Sequence, residues 1–235
     1  MMTMGNLKDI HAVVTAELKK SVALQPVTLK YPLPERPRRA LGLVKIDGDV
    51  YTSEKFLRVV LLRVNFPVFL SVRTVFLLPR IEYDLPFFTF DAVFTGNRRA
   101  VVMDIHRTEE GRRREDAALI EKLSGIKDTY SYLFKKRMTQ KTKIQKYFSQ
   151  AVCRLKIPGQ QDDGALALTR QYIETFLDLV DATPPMEGDA LKKVQQDFEE
   201  YLITWADHDP GVVANKKLFG SQGGVSRGLD MFFGR

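Results

Sequence analysis

The pattern of hydrophobic and polar residues changes from helical to strand-like and back to helical along the chain. Near the start, apolar residues recur at helical spacing, at Leu7, Ile10, Val13, Val14 and Leu18. This period predicts an amphipathic helix over residues 7–24. Residues 25–39 contain four prolines, which predicts an extended connector. We therefore expect residues 1–39 to form an N-terminal helix and connector.

The middle of the chain has the pattern of a β-sheet. Residues 41–105 are rich in Val, Phe, Leu and Ile, and turn signals separate the short apolar runs. This pattern predicts a meander of about five strands, and residues 148–157 predict another strand. Hairpin turns are predicted at Asp47–Asp49 and at Gly96–Asn97. Residues 40–160 are thus expected to be mainly sheet.

Helical spacing returns in the second half of the chain. Helices are predicted over residues 114–136, 165–180, 190–205 and 212–218. Residues 220–228 contain four glycines, which predicts a flexible loop. Strands with helices around them are typical of an α+β fold, in which helices cover an antiparallel sheet. We predict one domain over residues 1–235, with residues 161–235 mainly helical.

Composition excludes several kinds of site. A single cysteine, Cys153, permits neither an internal disulfide nor an iron–sulfur cluster held by this chain's own cysteines. The three histidines are not at zinc-ligand spacing, and no glycine-rich loop joins a strand to a helix. The longest apolar stretch, Val59–Leu70, is interrupted by polar residues and is too short to span a bilayer. We expect no membrane segment, no secretory signal and a reducing compartment.

The formal net charge of +7 favours an acidic partner. Nucleic acid, a membrane surface, an acidic protein and an anionic ligand would all satisfy this charge. The basic residues include two dense runs, at residues 112–114 and 135–146. Such runs are usually solvated surfaces, and they can also steer an acidic protein by raising its association rate. The aromatic residues near the second run are not ordered as a stacking platform, which disfavours nucleic acid.

Several separated segments carry a recognisable pattern. Pro79 is followed by the tetrad Tyr-Asp-Leu-Pro at residues 83–86, and Asp91 lies five residues past that tetrad's proline. The later segments, in order, are Asp104, Phe148-Ser149, Asp209-Pro210-Gly211 and Phe219-Gly220. Their order and spacing resemble those of the ferredoxin-dependent bilin reductases over roughly residues 40–220.

The resemblance implies a three-layer α/β/α sandwich with a central antiparallel sheet and no bound metal or flavin. It implies that a linear tetrapyrrole such as biliverdin is reduced through radical intermediates, with electrons from an acidic ferredoxin that carries a 2Fe-2S cluster. Asp91 and Asp209 match the aspartates that deliver protons, and Lys156 falls where the family carries a basic residue for a propionate. The other substrate-binding positions implied by the resemblance are Thr74, His208 and Ala214.

Each aspartate has a second interpretation from the residues alone. Asp91 is surrounded by phenylalanines, and an apolar site raises a carboxyl pKa as a proton donor near neutral pH requires. Alternation along the strand would equally allow Asp91 to face solvent. Asp209 precedes Pro-Gly, which is a common turn and helix start. Thr74 and Leu62 stand where some relatives carry a histidine and a glutamate, so the phycocyanobilin-forming proton route is not expected.

The main hypothesis is a bilin reductase that converts biliverdin IXα, or a dihydrobiliverdin, to a phytobilin. The first alternative keeps the fold and changes the substrate to an open-chain chlorophyll catabolite. The second alternative is a tetrapyrrole-binding or nucleic-acid-binding protein without catalysis. We expect a monomer in the cytoplasm, or in the plastid stroma of a eukaryote.

Overall fold

A seven-stranded antiparallel sheet forms the centre of the molecule, and each strand pairs with the next one along the chain. The structure is a computed structural model that describes residues 6–37, 41–67, 70–108, 117–134 and 143–235. The strands are β1 (Gln25–Pro26), β2 (Lys45–Thr52), β3 (Phe56–Asn65), β4 (Leu70–Pro79), β5 (Phe87–Thr95), β6 (Arg98–His106) and β7 (Cys153–Pro158). The predicted five-strand meander corresponds to β2–β6 and is confirmed.

Helices cover both faces of this sheet. They are α1 (Ile10–Ser21), α2 (Ala117–Thr129), α3 (Asp162–Ala182), α4 (Gly188–His208), α5 (Pro210–Phe219) and α6 (Ser221–Gly228). One hydrophobic core joins α1, α2 and α3 to what we call the first face of the sheet. A second core joins α4, α5 and α6 to the opposite, second face. These layers confirm the predicted α+β fold, a three-layer α/β/α sandwich with a central antiparallel sheet.

Alternation along β5 separates the two cores. Phe88, Phe90 and Phe94 are buried in the core of the first face. Phe87 is buried in the core of the second face, and Asp91 lies on that face because it is four residues further along the strand. The strand register then aligns six residues in a row across the second face: Gly48, Leu62, Thr74, Asp91, Val102 and Arg154.

One predicted hairpin is confirmed and the other is wrong. Gly96–Asn97 forms the turn between β5 and β6. Asp47–Asp49 lies inside β2, where Gly48 is paired with Leu62. The turn after β2 instead begins at Ser53, whose hydroxyl accepts a hydrogen bond from the backbone N–H of Phe56 at 3.0 Å. Cross-strand pairing along the whole of β2 thus overrides the local turn preference of Asp-Gly-Asp.

The glycine-rich segment near the C-terminus is helical, so the predicted loop at residues 220–228 is wrong. Helix α6 occupies this segment, and a π-helical turn follows at Leu229–Phe233. A Cβ on Gly224 would lie 2.6 Å from the backbone carbon of Asn215 in α5. A Cβ on Gly228 would lie 2.7 Å from the Trp205 ring. These glycines therefore permit close helix packing.

The predicted connector is extended and forms an arch over β2. Its first residues form β1, and its two ends are tied to β2 by backbone hydrogen bonds from Val27 to Val50 and from Ile46 to Glu35. The backbone N–H of Tyr31 donates to the carboxylate of Asp230 at 2.6 Å. A cleft of about 610 Å³ lies between this arch and β2. In the described part of the chain, no helix is long and apolar enough to cross a membrane.

Candidate active site

Asp91 lies near the middle of the sheet and is hydrogen bonded to a neighbouring strand. It is directly opposite Thr74 of β4 on one side and Val102 of β6 on the other. The Oγ1 of Thr74 donates a hydrogen bond to Oδ1 of Asp91 at 2.5 Å. Because paired residues project from the same face of a sheet, the strand register alone brings these two side chains together.

Asp91 is exposed as a residue, but its carboxyl is partly shielded from water by the surrounding protein. The residue is exposed, yet burial of its carboxyl among protein atoms raises its pKa, and the hydrogen bond from Thr74 only partly opposes this. Both observations hold if the carboxyl lines a recess that admits small molecules but is surrounded by protein. A carboxyl on an open sheet surface would not be desolvated, so the structure disfavours the simple solvent-facing interpretation of Asp91.

Asp209 lies in the helical layer above the second face, at the junction of α4 and α5. Its Oδ1 accepts hydrogen bonds from the backbone N–H groups of Gly211, at 2.8 Å, and Val212, at 3.2 Å. It is therefore the N-cap of α5, as its position before Pro-Gly predicts. Burial, and then the charge of Asp91, raise the pKa of Asp209 to about 6 against the lowering effect of those two bonds.

Together the two aspartates can hold protons at a higher pH than ordinary carboxyls. Asp91 comes from the sheet and Asp209 from the helical layer, and the charge of Asp91 acts on Asp209. Two carboxyls that face each other disfavour double ionisation, so at least one retains its proton to a higher pH. Such a pair can serve as a source of protons for a bound molecule.

A buried polar cluster lies beside the aspartates, and the sequence pattern points to only two of its members, Asp104 and Ser149. Asp104 is fully buried and accepts hydrogen bonds from the backbone N–H of Ser149, at 2.8 Å, and from its hydroxyl, at 2.5 Å. The Nε2 of His106 lies 3.4 Å from the Tyr201 hydroxyl. Burial lowers the pKa of His106 to about 3 and, with the charge of Asp209, raises that of Tyr201. No motif in the sequence marks His106, which is the last residue of β6, and helical periodicity marks Tyr201 only as a core residue.

Two basic residues of β7 reach the second face. Lys156 is exposed and is paired with Ala100 of β6. It therefore lies in the row of second-face residues next to the row that contains Asp91. Arg154 lies in the same row as Asp91, and its guanidinium is 5.4 Å from the centre of the Phe148 ring. Sequence reasoning singled out Lys156 and missed Arg154, although the period of two in a strand places residues 154 and 156 on one face.

The remaining predicted site residues divide into two groups. Thr74 is brought against Asp91. His208 ends α4 immediately before Asp209 and is half-buried, and Ala214 is exposed on α5. Within the described ranges, no hydrogen bond connects His208 to either aspartate. The roles of His208 and Ala214 stay predictions.

The basic runs lie largely beyond the described residues. Residues 112–114 and 135–142 are outside the described ranges, and Lys143 and Lys146 belong to a short 3₁₀ helix, Lys143–Tyr147. Among the residues that the structure describes, no group of three or more His, Cys, Asp or Glu could hold a metal ion. The expected lack of a bound cofactor remains a prediction.

Comparisons with known proteins agree with this fold. The tomato phytochromobilin synthase structure in complex with biliverdin superposes with a TM-score of 0.77 and 17% identity, over 97% of this chain and 82% of that one. A phycoerythrobilin:ferredoxin oxidoreductase of Prochlorococcus marinus strain MIT 9301 is 23% identical over 165 residues, which are 68% of this chain and 65% of that relative. The same enzyme of strain AS9601 is 23% identical over 174 residues, or 72% and 68%.

The aligned region thus spans about two thirds of the length of these relatives. The family described as ferredoxin-dependent bilin reductase matches residues 11–223. That match covers most of the chain and includes both aspartates, Thr74 and Lys156. The chain therefore belongs to the ferredoxin-dependent bilin reductase family.

Proposed function

We propose that this chain is an oxidoreductase that reduces biliverdin IXα, or a dihydrobiliverdin, to a phytobilin with electrons from reduced ferredoxin. The observation that carries this proposal is a pair of carboxyls with raised pKa values, Asp91 on the second face of the sheet and Asp209 at the start of α5 above that face. Family membership supplies the substrate class and the electron donor. The carboxyl pair supplies what ferredoxin cannot, namely protons.

The stoichiometry of the reaction requires such a pair. Reduction of one bilin double bond consumes two electrons and two protons. The 2Fe-2S cluster of ferredoxin gives one electron at a time, so the bilin passes through a radical that must be protonated before or after the second electron arrives. Asp91 can deliver a proton from the sheet side of the recess, and Asp209 can deliver one from the helical side.

The pKa of Asp209 suits this role. A general acid works best when its pKa lies near the working pH, because it is then protonated often enough and still gives up its proton readily. Burial and the charge of Asp91 raise the pKa of Asp209 to about 6, while its two backbone hydrogen bonds fix the carboxyl at the start of α5. Asp209 is thus both the N-cap of a helix and a candidate proton donor.

Positive charge on β7 supports binding of an anionic substrate. Biliverdin carries two propionates, and Lys156 and Arg154 both project from the second face. In our proposal Lys156 pairs with a propionate, and Arg154 offers a planar guanidinium that can bind a carboxylate through two parallel hydrogen bonds. His208 and Ala214 would contact the substrate from the helical layer. We expect the protein to act as a monomer, in the cytoplasm or the plastid stroma.

An anaerobic assay tests the proposal. Biliverdin, the protein and ferredoxin kept reduced by a regenerating system should give a product with a blue-shifted absorbance, to be identified by chromatography. The matched control is the double variant Asp91→Asn with Asp209→Asn, which keeps both shapes and removes both acids. Biliverdin recovered unchanged with the parent protein would contradict reductase activity on this substrate. A chlorophyll catabolite in the same assay then tests the alternative substrate.

A further inference from the structure

Thr74 and Asp91 are fixed relative to each other by the backbone. They are directly opposite on β4 and β5, and the Thr74 hydroxyl donates to Oδ1 of Asp91 at 2.5 Å. Threonine is branched at Cβ, which restricts rotation about χ1 in a strand. This restriction and the strand pairing together favour a hydroxyl that stays beside the carboxyl.

The neighbouring side chains in this row of the sheet do not compete with Thr74 for a hydrogen bond to Asp91. Leu62 stands on the far side of Thr74, and Val102 stands on the far side of Asp91. Neither side chain can form a hydrogen bond. Arg154 is one strand beyond Val102, and Asp209 belongs to the helical layer, where the charge of Asp91 acts on it. Among the described residues, Thr74 makes the one side-chain hydrogen bond to Asp91.

We propose that Thr74 is a positioning residue that aims the acidic proton of Asp91 at the substrate. A protonated carboxyl carries its hydrogen on one oxygen. Because Oδ1 accepts the hydrogen bond from Thr74, the proton resides on Oδ2, the oxygen that Thr74 does not bind. This inference rests on the proposed function and deepens it, since it assigns a task to a residue that cannot itself titrate usefully.

The proton transfer balances with ferredoxin as the electron source. One electron from reduced ferredoxin converts the bilin to its radical anion. The Oδ2–H bond of Asp91 then breaks, a bond forms between that hydrogen and a carbon or nitrogen of the bilin, and the electron pair stays on the carboxylate. The negative charge moves from the bilin to Asp91, where the Thr74 hydroxyl stabilises it in a site that is otherwise desolvated.

Two variants separate this role from a structural one. Thr74→Val removes the hydroxyl and keeps nearly the same shape, and Thr74→Ser restores the hydroxyl. Thr95→Val is the matched control, because it removes a hydroxyl from the exposed end of β5. The Asp91 carboxyl is titrated by carbon-13 NMR in substrate-free protein, and protonation of the bilin radical is followed by stopped-flow absorbance.

Loss of the Thr74 bond should move the Asp91 titration to higher pH and slow radical protonation about tenfold at a pH where Asp91 is protonated. Thr74→Ser and Thr95→Val should follow the parent protein. If Thr74→Val does not fold, Thr74→Ala carries the same test. Identical Asp91 titrations in parent and Thr74→Val protein, or an unchanged rate of protonation, would overturn the inference. A parent protein that never reduces biliverdin contradicts the proposed function instead, while the titration still tests the bond.

Discussion

Asp91 and Asp209 belong to opposite layers of the sandwich, yet the charge of Asp91 raises the pKa of Asp209. No pattern along the chain connects them, since they are 118 positions apart in sequence. Their approach depends on the sheet register, which places Asp91 on the second face, and on the α4–α5 junction, which holds Asp209 above that face. This relationship has a consequence for stability that can be measured without any substrate.

The first prediction is that Asp209→Asn stabilises the protein at neutral pH and not under acidic conditions. The folded state raises the pKa of Asp209 from its ordinary 3.8 to about 6. Between these values the folded protein binds more protons than the unfolded chain, so the stability contributed by Asp209 falls as pH rises through this window. Asparagine cannot ionise and caps helices as well as aspartate does. Because the half-buried site is partly screened, we expect a gain of about 1 kcal/mol at pH 7.5 and none near pH 3.5.

Urea unfolding at the two pH values measures this effect. Asp207→Asn is the matched control, because it makes the same change of charge at an exposed position two residues earlier. Equal gains at both pH values for Asp209→Asn would show that the Asp209 carboxyl does not titrate in the window from 3.8 to about 6.

The second prediction concerns the glycines of α6. Gly224→Ala should destabilise the protein by roughly 1–3 kcal/mol, because the added Cβ would meet rigid backbone of α5 at 2.6 Å. Gly223→Ala is the control in the same helix, since its Cβ would meet the flexible end of the Arg227 side chain at 2.9 Å. Thermal unfolding followed by circular dichroism compares them. A Gly224→Ala melting temperature equal to or above that of Gly223→Ala would contradict the packing role.

These glycines show what could not be predicted from the sequence. Four glycines within nine residues indicate a loop when only local preference is considered. Their helical state depends on contact with α5 and Trp205, which is a tertiary effect that local preference does not contain. Gly48 is the same case in a strand, because the pairing of β2 with β3 overrides a turn signal.

Other features could be predicted because they follow from local periodicity. The runs of Val, Phe, Leu and Ile gave the five strands of the meander, and helical spacing gave α3, α4 and α5. The candidate aspartates were found from the family resemblance. The raised pKa of Asp209 could not be found that way, because its desolvation depends on how the helices cover the second face. The contact between His106 and Tyr201 also joins residues 95 apart in sequence.

The third prediction is that salt slows turnover mainly by weakening the encounter with ferredoxin. The net charge of +7 motivates it, because exposed charges are screened over about 8 Å at physiological ionic strength. Reversal of Lys135 and Lys136 to Glu should slow turnover at limiting ferredoxin and leave bilin binding intact. The control reverses Lys19 and Lys20 on α1, which packs against the first face, with the same change of charge. Similar rates for both double variants at low salt would remove the 135–136 run from the docking surface.

The last prediction concerns the proton steps themselves. Asp91→Asn and Asp209→Asn each keep the shape of the side chain and remove the acid, so each variant should still bind biliverdin about one to one. Loss of a general acid typically slows a reaction about a hundredfold or more. Each variant should therefore stall at a bilin radical or at a partly reduced product.

The two variants should stall at different stages if both carboxyls donate protons, because Asp91 lies on the sheet and Asp209 in the helical layer. Stopped-flow absorbance combined with electron paramagnetic resonance distinguishes a trapped radical from a partly reduced bilin. The control is Asp207→Asn, which removes an exposed carboxyl two residues before Asp209. This variant should reach the final product at the parental rate. Parental rates and the same final product in both Asp91→Asn and Asp209→Asn would mean that these carboxyls are structural, and water would then have to be the proton source.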